Sequence, residues 1–186
     1  PWVTVAIAAT CVVLFALGKY WAGGADSQAL ARMGANSGVL VKHGQVWRLL
    51  ASAFLHANLE HLIVNMLALG GFGPMLERLL RPGRYVLLYG LSALGGGLAS
   101  AFLGGGAMSV GASGAIWGLM AAGVGLSIRP RGLLPSHRLS QARRRAVVPL
   151  VINVLYSFMP GIDLFADFGG GFVGIVLVLT GVITRG

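Results

Sequence analysis

The chain has 186 residues, of which 56% are hydrophobic and only 10% charged, with a mean hydropathy of +0.80. An average soluble domain carries roughly 25% charged residues, so this composition excludes a water-soluble globule and points to a protein embedded in lipid. The net charge of +9 would suit nucleic acid, but the cations are spaced between apolar runs like a membrane topology signal, and no nucleic-acid partner is expected.

The first apolar run, Trp2 to Trp21, has the roughly 20 residues a helix needs to cross a bilayer, too many for a cleaved signal peptide. It holds Cys11, the sole cysteine, which excludes an intrachain disulfide and is read as a packing residue. A start at Pro1, already apolar, is the mark expected of a trimmed or processed form. From residue 22 to 56 apolar and polar residues mix without a spanning run. This stretch is expected outside the membrane as short amphipathic helices at the interface, with Trp47 and Arg48 as headgroup-level anchors.

The second span, Leu59 to Leu76, opens inside the stretch HANLEHLIVNM, His56 to Met66. His61 and Asn65 are four residues apart and so share one helix face, with His56 five residues earlier where the external segment turns inward. A lone histidine or asparagine in a span is ordinarily a packing residue. Two hydrogen-bonding groups on one face mark a candidate site.

The third span, Tyr85 to Leu103, is rich in glycine, and the fourth, Ala112 to Ile128, opens with GASGAIWG. Ser113 stands there between Gly111 and Gly114. Glycines around a serine permit a sharp turn and close approach of a peptide backbone, although the same composition is ordinary helix packing. A fifth run covers Val147 to Met159, and a sixth, Phe165 to Ile183, carries Asp167 at its head. Gly114 with Gly118 and Gly170 with Gly174 have the four-residue spacing that lets helix backbones meet in membranes. The sum is one all-α, polytopic domain over residues 1–186 with about six membrane helices.

Arg78, Arg81 and Arg84, the arginines between 129 and 145, and Arg185 fall on one side of such a bundle, and Lys19, Arg32, Lys42 and Arg48 on the other. The positive-inside rule then puts the amino terminus and the arginine-rich segment in the cytoplasm, the same cations being suited to anionic membrane lipid. The expected setting is the inner membrane of a prokaryote, with the site opening externally.

Ser113, the His61–Asn65 pair and Asp167 all stand near the external ends of their spans, at similar depth. Serine hydrolysis needs a nucleophile, a general base and donors for a tetrahedral oxyanion. With these motifs in view the sequence resembles the rhomboid family of intramembrane serine proteases over nearly its whole length. The motifs are Trp47–Arg48, H-x4-H-x3-N at His56, His61 and Asn65, Glu77–Arg78, GASG around Ser113, and DFGGGFVG from Asp167. The resemblance implies a six-helix bundle with Ser113 as nucleophile in a water-filled cavity. It further implies oxyanion donors in His61, Asn65 and the Ser113 amide, with Trp117 packed against the base and residues 158–165 gating lateral entry. Transmembrane-helix proteins would be the substrates, and no cofactor or metal is called for.

One position departs. Rhomboids carry A-H-x-G-G or A-H-x-A-G where the histidine is the general base, and this chain reads Ala166, Asp167, Phe168, Gly169, Gly170. An ionised carboxylate is the weaker base, apolar surroundings favour its neutral form, and its shorter side chain falls short of the serine. His43 and His56 belong to the external segment and His137 to the cytoplasmic one, so none replaces it. The chain is therefore expected to be inactive or severely impaired, through a single introduced or recent substitution in an otherwise complete site. Two alternatives stay open at this point: a pseudoenzyme that binds membrane-spanning clients without cutting them, and a small transporter using Asp167, His61 and Asn65 as a proton relay.

Overall fold

A computed structural model describes residues 1–21, 27–128, 151–159 and 161–184. The arginine-rich segment between 129 and 145, His137, the start of the fifth run at 147–150 and Arg185 lie outside the described residues. In chain order the helices are α1 (Trp2–Trp21), α2 (Ser27–Met33), α3 (Gly38–Lys42), α4 (Arg48–Ala51) running into a 3-10 turn (Ser52–Phe54), α5 (Leu59–Leu80), α6 (Pro82–Leu103), α7 (Ser113–Ile128), α8 (151–157) and α9 (Leu164–Thr180). Among the described residues the only strand-like feature is an isolated antiparallel bridge between Asn36 and Ser109.

Among the described residues three helices are long and apolar enough to cross a membrane, namely α5, α6 and the Trp2–Tyr20 part of α1, while α7 and α9 are shorter apolar helices. Large apolar side chains such as Val12, Leu67, Leu98 and Phe172 are exposed on their outer faces, as lipid contact demands. α5 runs four residues past the expected Leu76, through Pro74, and a single residue then reverses the chain. That residue, Arg81, has φ of 67°, and Pro82 follows at the first helical position, where its missing N–H costs nothing and its fixed φ suits the helix.

The bundle is organised around α6, α7 and α9, which touch through glycine. A Cβ at Gly96 or Gly114 would lie 2.6 or 2.7 Å from the Ala166 carbonyl oxygen, and one at Gly118 would lie 2.9 Å from that of Gly170. At Gly170 and Gly174 it would overlap the carbonyls of Gly114 and Gly118 outright. No side chain separates these backbones, and the gain is van der Waals contact that bulkier residues would forbid. Leu69, Phe72 and Leu76 of α5 fill the core beside them with Leu88, Ile116 and Leu119. α1 attaches to α5 through Glu77, which accepts from Val3 N (3.0 Å), Thr4 N (2.8 Å) and Thr4 Oγ1 (2.7 Å).

The segment between α1 and α5 packs on the bundle. It folds down on α6, where a Cβ at Gly97 would come within 2.7 Å of the Leu49 carbonyl oxygen. Arg48 is not a headgroup anchor: it is buried, its Nη1 donating to the carbonyls of Ala31 (2.6 Å) and Ala35 (3.1 Å) and its Nε to Gln45 Oε1 (2.7 Å). Those two carbonyls lie at the end of α2, and a five-donor guanidinium satisfies them from inside the protein rather than from the membrane surface. Trp47 remains half exposed, with the guanidinium 4.7 Å from its ring centroid.

Candidate active site

The amino end of α5 is set by Asn58, whose Oδ1 accepts from His61 N at 2.8 Å. This cap fixes His61 in the first turn and Asn65 one turn deeper, where Asn65 Nδ2 donates to the His61 carbonyl at 2.9 Å. Both are buried, and His61 Nε2 and Asn65 Oδ1 have no partner within the protein. His56, in the turn ahead of α5, packs edge-on against His61 with ring centroids 5.3 Å apart. Burial first, and then the neighbouring His61, hold the His56 imidazole down to about 3, so it is a neutral wall behind His61 at any ordinary pH.

Ser113 begins α7. The turn delivering it passes through Gly111 at φ of 136°, a backbone conformation suited to glycine. A Cβ there would also lie 2.8 Å from His61 Nε2 and 3.8 Å from Ser113 Oγ. Gly111 thus lets the imidazole and the hydroxyl approach the same backbone. Opposite, Asp163 caps α9 by accepting from Ala166 N at 3.0 Å, which places Asp167 in the first turn. Asp167 is 1% exposed. Ser113, Ser157 and Trp117 all present polar groups to its carboxyl, but the hydrogen bond that forms is from Ser157 Oγ to Oδ2, and Oδ1 has no partner. Trp117, one turn beyond Ser113, donates from Nε1 to Ser157 Oγ at 3.1 Å and packs on Phe168 with centroids 5.7 Å apart.

Ser113, Asp167, Trp117, His61, Asn65, His56, Gly111, Gly114 and Gly170 therefore converge at one end of the bundle, with Gly174 one turn further along the same seam. A family model for the rhomboid domain matches residues 43–183 of this sequence. The chain belongs to the rhomboid family. Its sequence is 35% identical over 162 residues to RHOMBOID-like protein 5 of Arabidopsis thaliana, which covers 84% of this chain and 52% of that protein. Rhomboid protease GluP of Bacillus subtilis is 31% identical over 171 residues, 91% of this chain and 33% of that protein. Rhomboid-like protease 3 of Toxoplasma gondii is 27% identical over 178 residues, 95% of this chain and 66% of that protein. The chain spans a third to about half of the length of the first two. Relatives from a plant, a bacterium and Toxoplasma leave the kind of membrane open, so the expectation of a prokaryotic inner membrane has no support from them.

Within this rhomboid site, Ser157 is the residue that sequence reasoning passed over. Its hydroxyl is reached by Trp117, lies 2.9 Å from the Asn153 carbonyl and binds the carboxyl of Asp167. The available signal was a serine four residues after Asn153 in an otherwise apolar run, the spacing of one helix face. Among the described residues no group of three or more His, Cys, Asp or Glu is arranged to hold a metal ion.

Proposed function

We propose that the chain is an intramembrane serine endopeptidase scaffold of six membrane helices, its amino terminus cytoplasmic and its site opening on the external side, which Asp167 leaves inactive or severely impaired. Ser113 is the nucleophile. His61, Asn65 and the Ser113 amide stabilise the oxyanion, and His56 backs His61. Asp167 holds the position of the general base, with Trp117 against it. The substrates are membrane-spanning helices that enter laterally from lipid.

The observation that carries this reading is the orientation of the Asp167 carboxyl. Its Oδ2 is bonded to Ser157 and its Oδ1 has no partner, so the carboxyl is held by Ser157 with the Ser113 hydroxyl beside it. A general base must reach its proton within roughly 3 Å. An imidazole on the same Cα is longer, takes the Ser113 proton near neutral pH and returns it to the leaving amine, a cycle a carboxylate held on Ser157 does not perform. A tetrahedral oxyanion would meet the Asn65 amide and the imidazole of His61, whose Nε2 is already free of protein partners. The same carboxyl orientation also fits a second reading, a pseudoenzyme that binds membrane-spanning clients without cutting them.

Three proteins in liposomes with a helix-destabilised transmembrane substrate separate these readings: the chain as it stands, Asp167→His, and Asp167→His with Ser113→Ala. Cleavage and fluorophosphonate labelling by Asp167→His alone are the expected outcome. A folded Asp167→His protein that neither cuts nor labels refutes the protease reading, and undiminished activity with Asp167 in place refutes its role.

A further inference from the structure

Negative charge is scarce in this chain, with 5 Asp and Glu against 14 Lys and Arg, and it is unevenly placed. Of the four described acidic residues, Glu77 serves the α1–α5 tie at the far end of α5, while Glu60, Asp163 and Asp167 stand at the end of the bundle that holds Ser113. Glu60 is exposed in the first turn of α5, immediately before His61. Tyr156 of α8 packs beside His61 with ring centroids 6.4 Å apart, and its hydroxyl lies within the field of the Glu60 carboxylate. Asp163, half-buried at the cap of α9, exerts its charge on Asp167 in the same way. One carboxylate therefore borders the site at the head of α5, and a second at the head of α9.

Of the cations that the sequence puts on this side, Arg48 is buried on the carbonyls of Ala31 and Ala35, and Lys19 and Lys42 lie over the rings of Phe15 and Phe102, 5.7 Å from each centroid. His61, beside Glu60 and only 8% exposed, keeps an Nε2 with no partner in the protein. A polypeptide arriving at that imidazole therefore meets negative charge first. We propose that Glu60 and Asp163 form an acidic rim that selects membrane-spanning helices carrying Lys or Arg at the end that reaches Ser113. This rests on reading that end of the bundle as the place where such helices are cut or held, and it adds the charge class of the substrate. The helix dipole also favours a carboxylate at both positions, and Asp163 caps α9 besides, but neither role depends on the charge of an incoming helix. An exposed ion pair changes an affinity by about 1.5- to 5-fold, and a like-charge pair does so in the opposite sense, so Lys is expected over Glu by about 2- to 25-fold.

The probe is a helix-destabilised transmembrane substrate with Lys, Gln or Glu scanned, one at a time, through the residues flanking the cut. With Asp167→His in liposomes of uncharged lipid at low salt, kcat/KM should favour Lys over Glu by that factor, with Gln between them. In the same background Glu60→Lys should invert the order and Glu60→Asp should keep it. Asp163→Asn, which still caps the helix, should weaken the preference while the Gln substrate keeps the parental rate. Salt at about 1 M, where the Debye length is about 3 Å, should flatten the preference. A rate loss in Glu60→Lys that falls equally on the three substrates marks a structural role and overturns the rim. Cleavage without charge preference, or an order that survives Glu60→Lys, overturns it too, and both leave the protease reading intact. Should folded Asp167→His protein not cut, the chain as it stands is titrated with the same three helices by energy transfer. Tighter binding of the Lys helix by the same factor then supports the rim together with the holding of clients. Equal binding overturns the rim alone, and no binding refutes the proposed function and the rim with it.

Discussion

Adding one methyl group at Gly114 tests whether the α7–α9 seam is as tight as its glycines imply. The new Cβ would stand 2.7 Å from the Ala166 carbonyl oxygen, about 0.7 Å inside the 3.4 Å at which ordinary contact begins. The obstacle is backbone on both sides, so relief requires the helices to part. Overpacking of this kind costs about 1–3 kcal/mol. At roughly 2–4 °C per kcal/mol for a chain of this size, Gly114→Ala should lower the melting temperature by about 2–12 °C. Gly70→Ala is the matched control, because a Cβ there meets nothing within 4 Å and alanine is the better helix former by about 0.5–1 kcal/mol. Thermal unfolding of both variants in detergent micelles gives the comparison, with Gly70→Ala neutral or stabilising. Equal melting temperatures for the two would show that the seam has slack and that the close approach of Ser113 to Asp167 does not depend on it. In the Asp167→His background the same separation would displace Ser113 from the base, so activity should fall more steeply than stability.

Removing the Glu77 carboxylate by Glu77→Ala strands the buried N–H groups of Val3 and Thr4 at about 1–3 kcal/mol each, the Thr4 hydroxyl keeping Tyr85 Oη at 3.2 Å, so a stability loss of at least about 2 kcal/mol is expected, and unfolding within about 2 °C of the parent would refute it. Ser157→Ala should cost about 1–3 kcal/mol in the chain as it stands and less after Asp167→His, a coupling that a double-mutant cycle of unfolding free energies measures directly. His56 is depressed from 6.5 to about 3; below pH 6.5 the unfolded chain binds a proton that the folded chain refuses. Stability is therefore complete above pH 6.5 and falls by up to about 1.4 kcal/mol per pH unit between 6.5 and 3. The share due to His56 should vanish from a pH titration of His56→Asn. In the Asp167→His background, Asn65→Ala should lower turnover by roughly 10 to 10³, and an unchanged kcat removes its amide from the oxyanion site.

The spans were legible because hydropathy is a local property: α1 ends where its apolar run ends, and α5 and α6 were placed within a few residues. The His61–Asn65 pair was legible for a related reason, since four residues on one helix settle their mutual position before any tertiary contact forms. What the sequence withheld depends on partners far along the chain. Arg48 beside an exposed tryptophan reads as a surface anchor, and only the fold reveals the carbonyls of Ala31 and Ala35 that draw it inward. Glu77 is visible as part of a motif, but its donors are 73 and 74 residues away on α1. Ser157 meets Asp167 from ten residues earlier in the chain, and the pairing of Asn36 with Ser109 joins the segment between α1 and α5 to the loop between α6 and α7. Nothing in the spacing of such residues encodes the encounter.

The glycine seam also has a bearing on the order in which the protein is made. α9 meets both α6 and α7 backbone to backbone at Gly96, Gly114, Gly118, Gly170 and Gly174, and it leaves the ribosome after both of them. Until it does, the grooves of α6 and α7 stay open, and Ser113 has neither Asp167 nor Phe168 near it. The constellation around Ser113 is thus completed only after α6 and α7 have been made, and a nascent rhomboid chain that stalls before α9 carries its serine without Asp167.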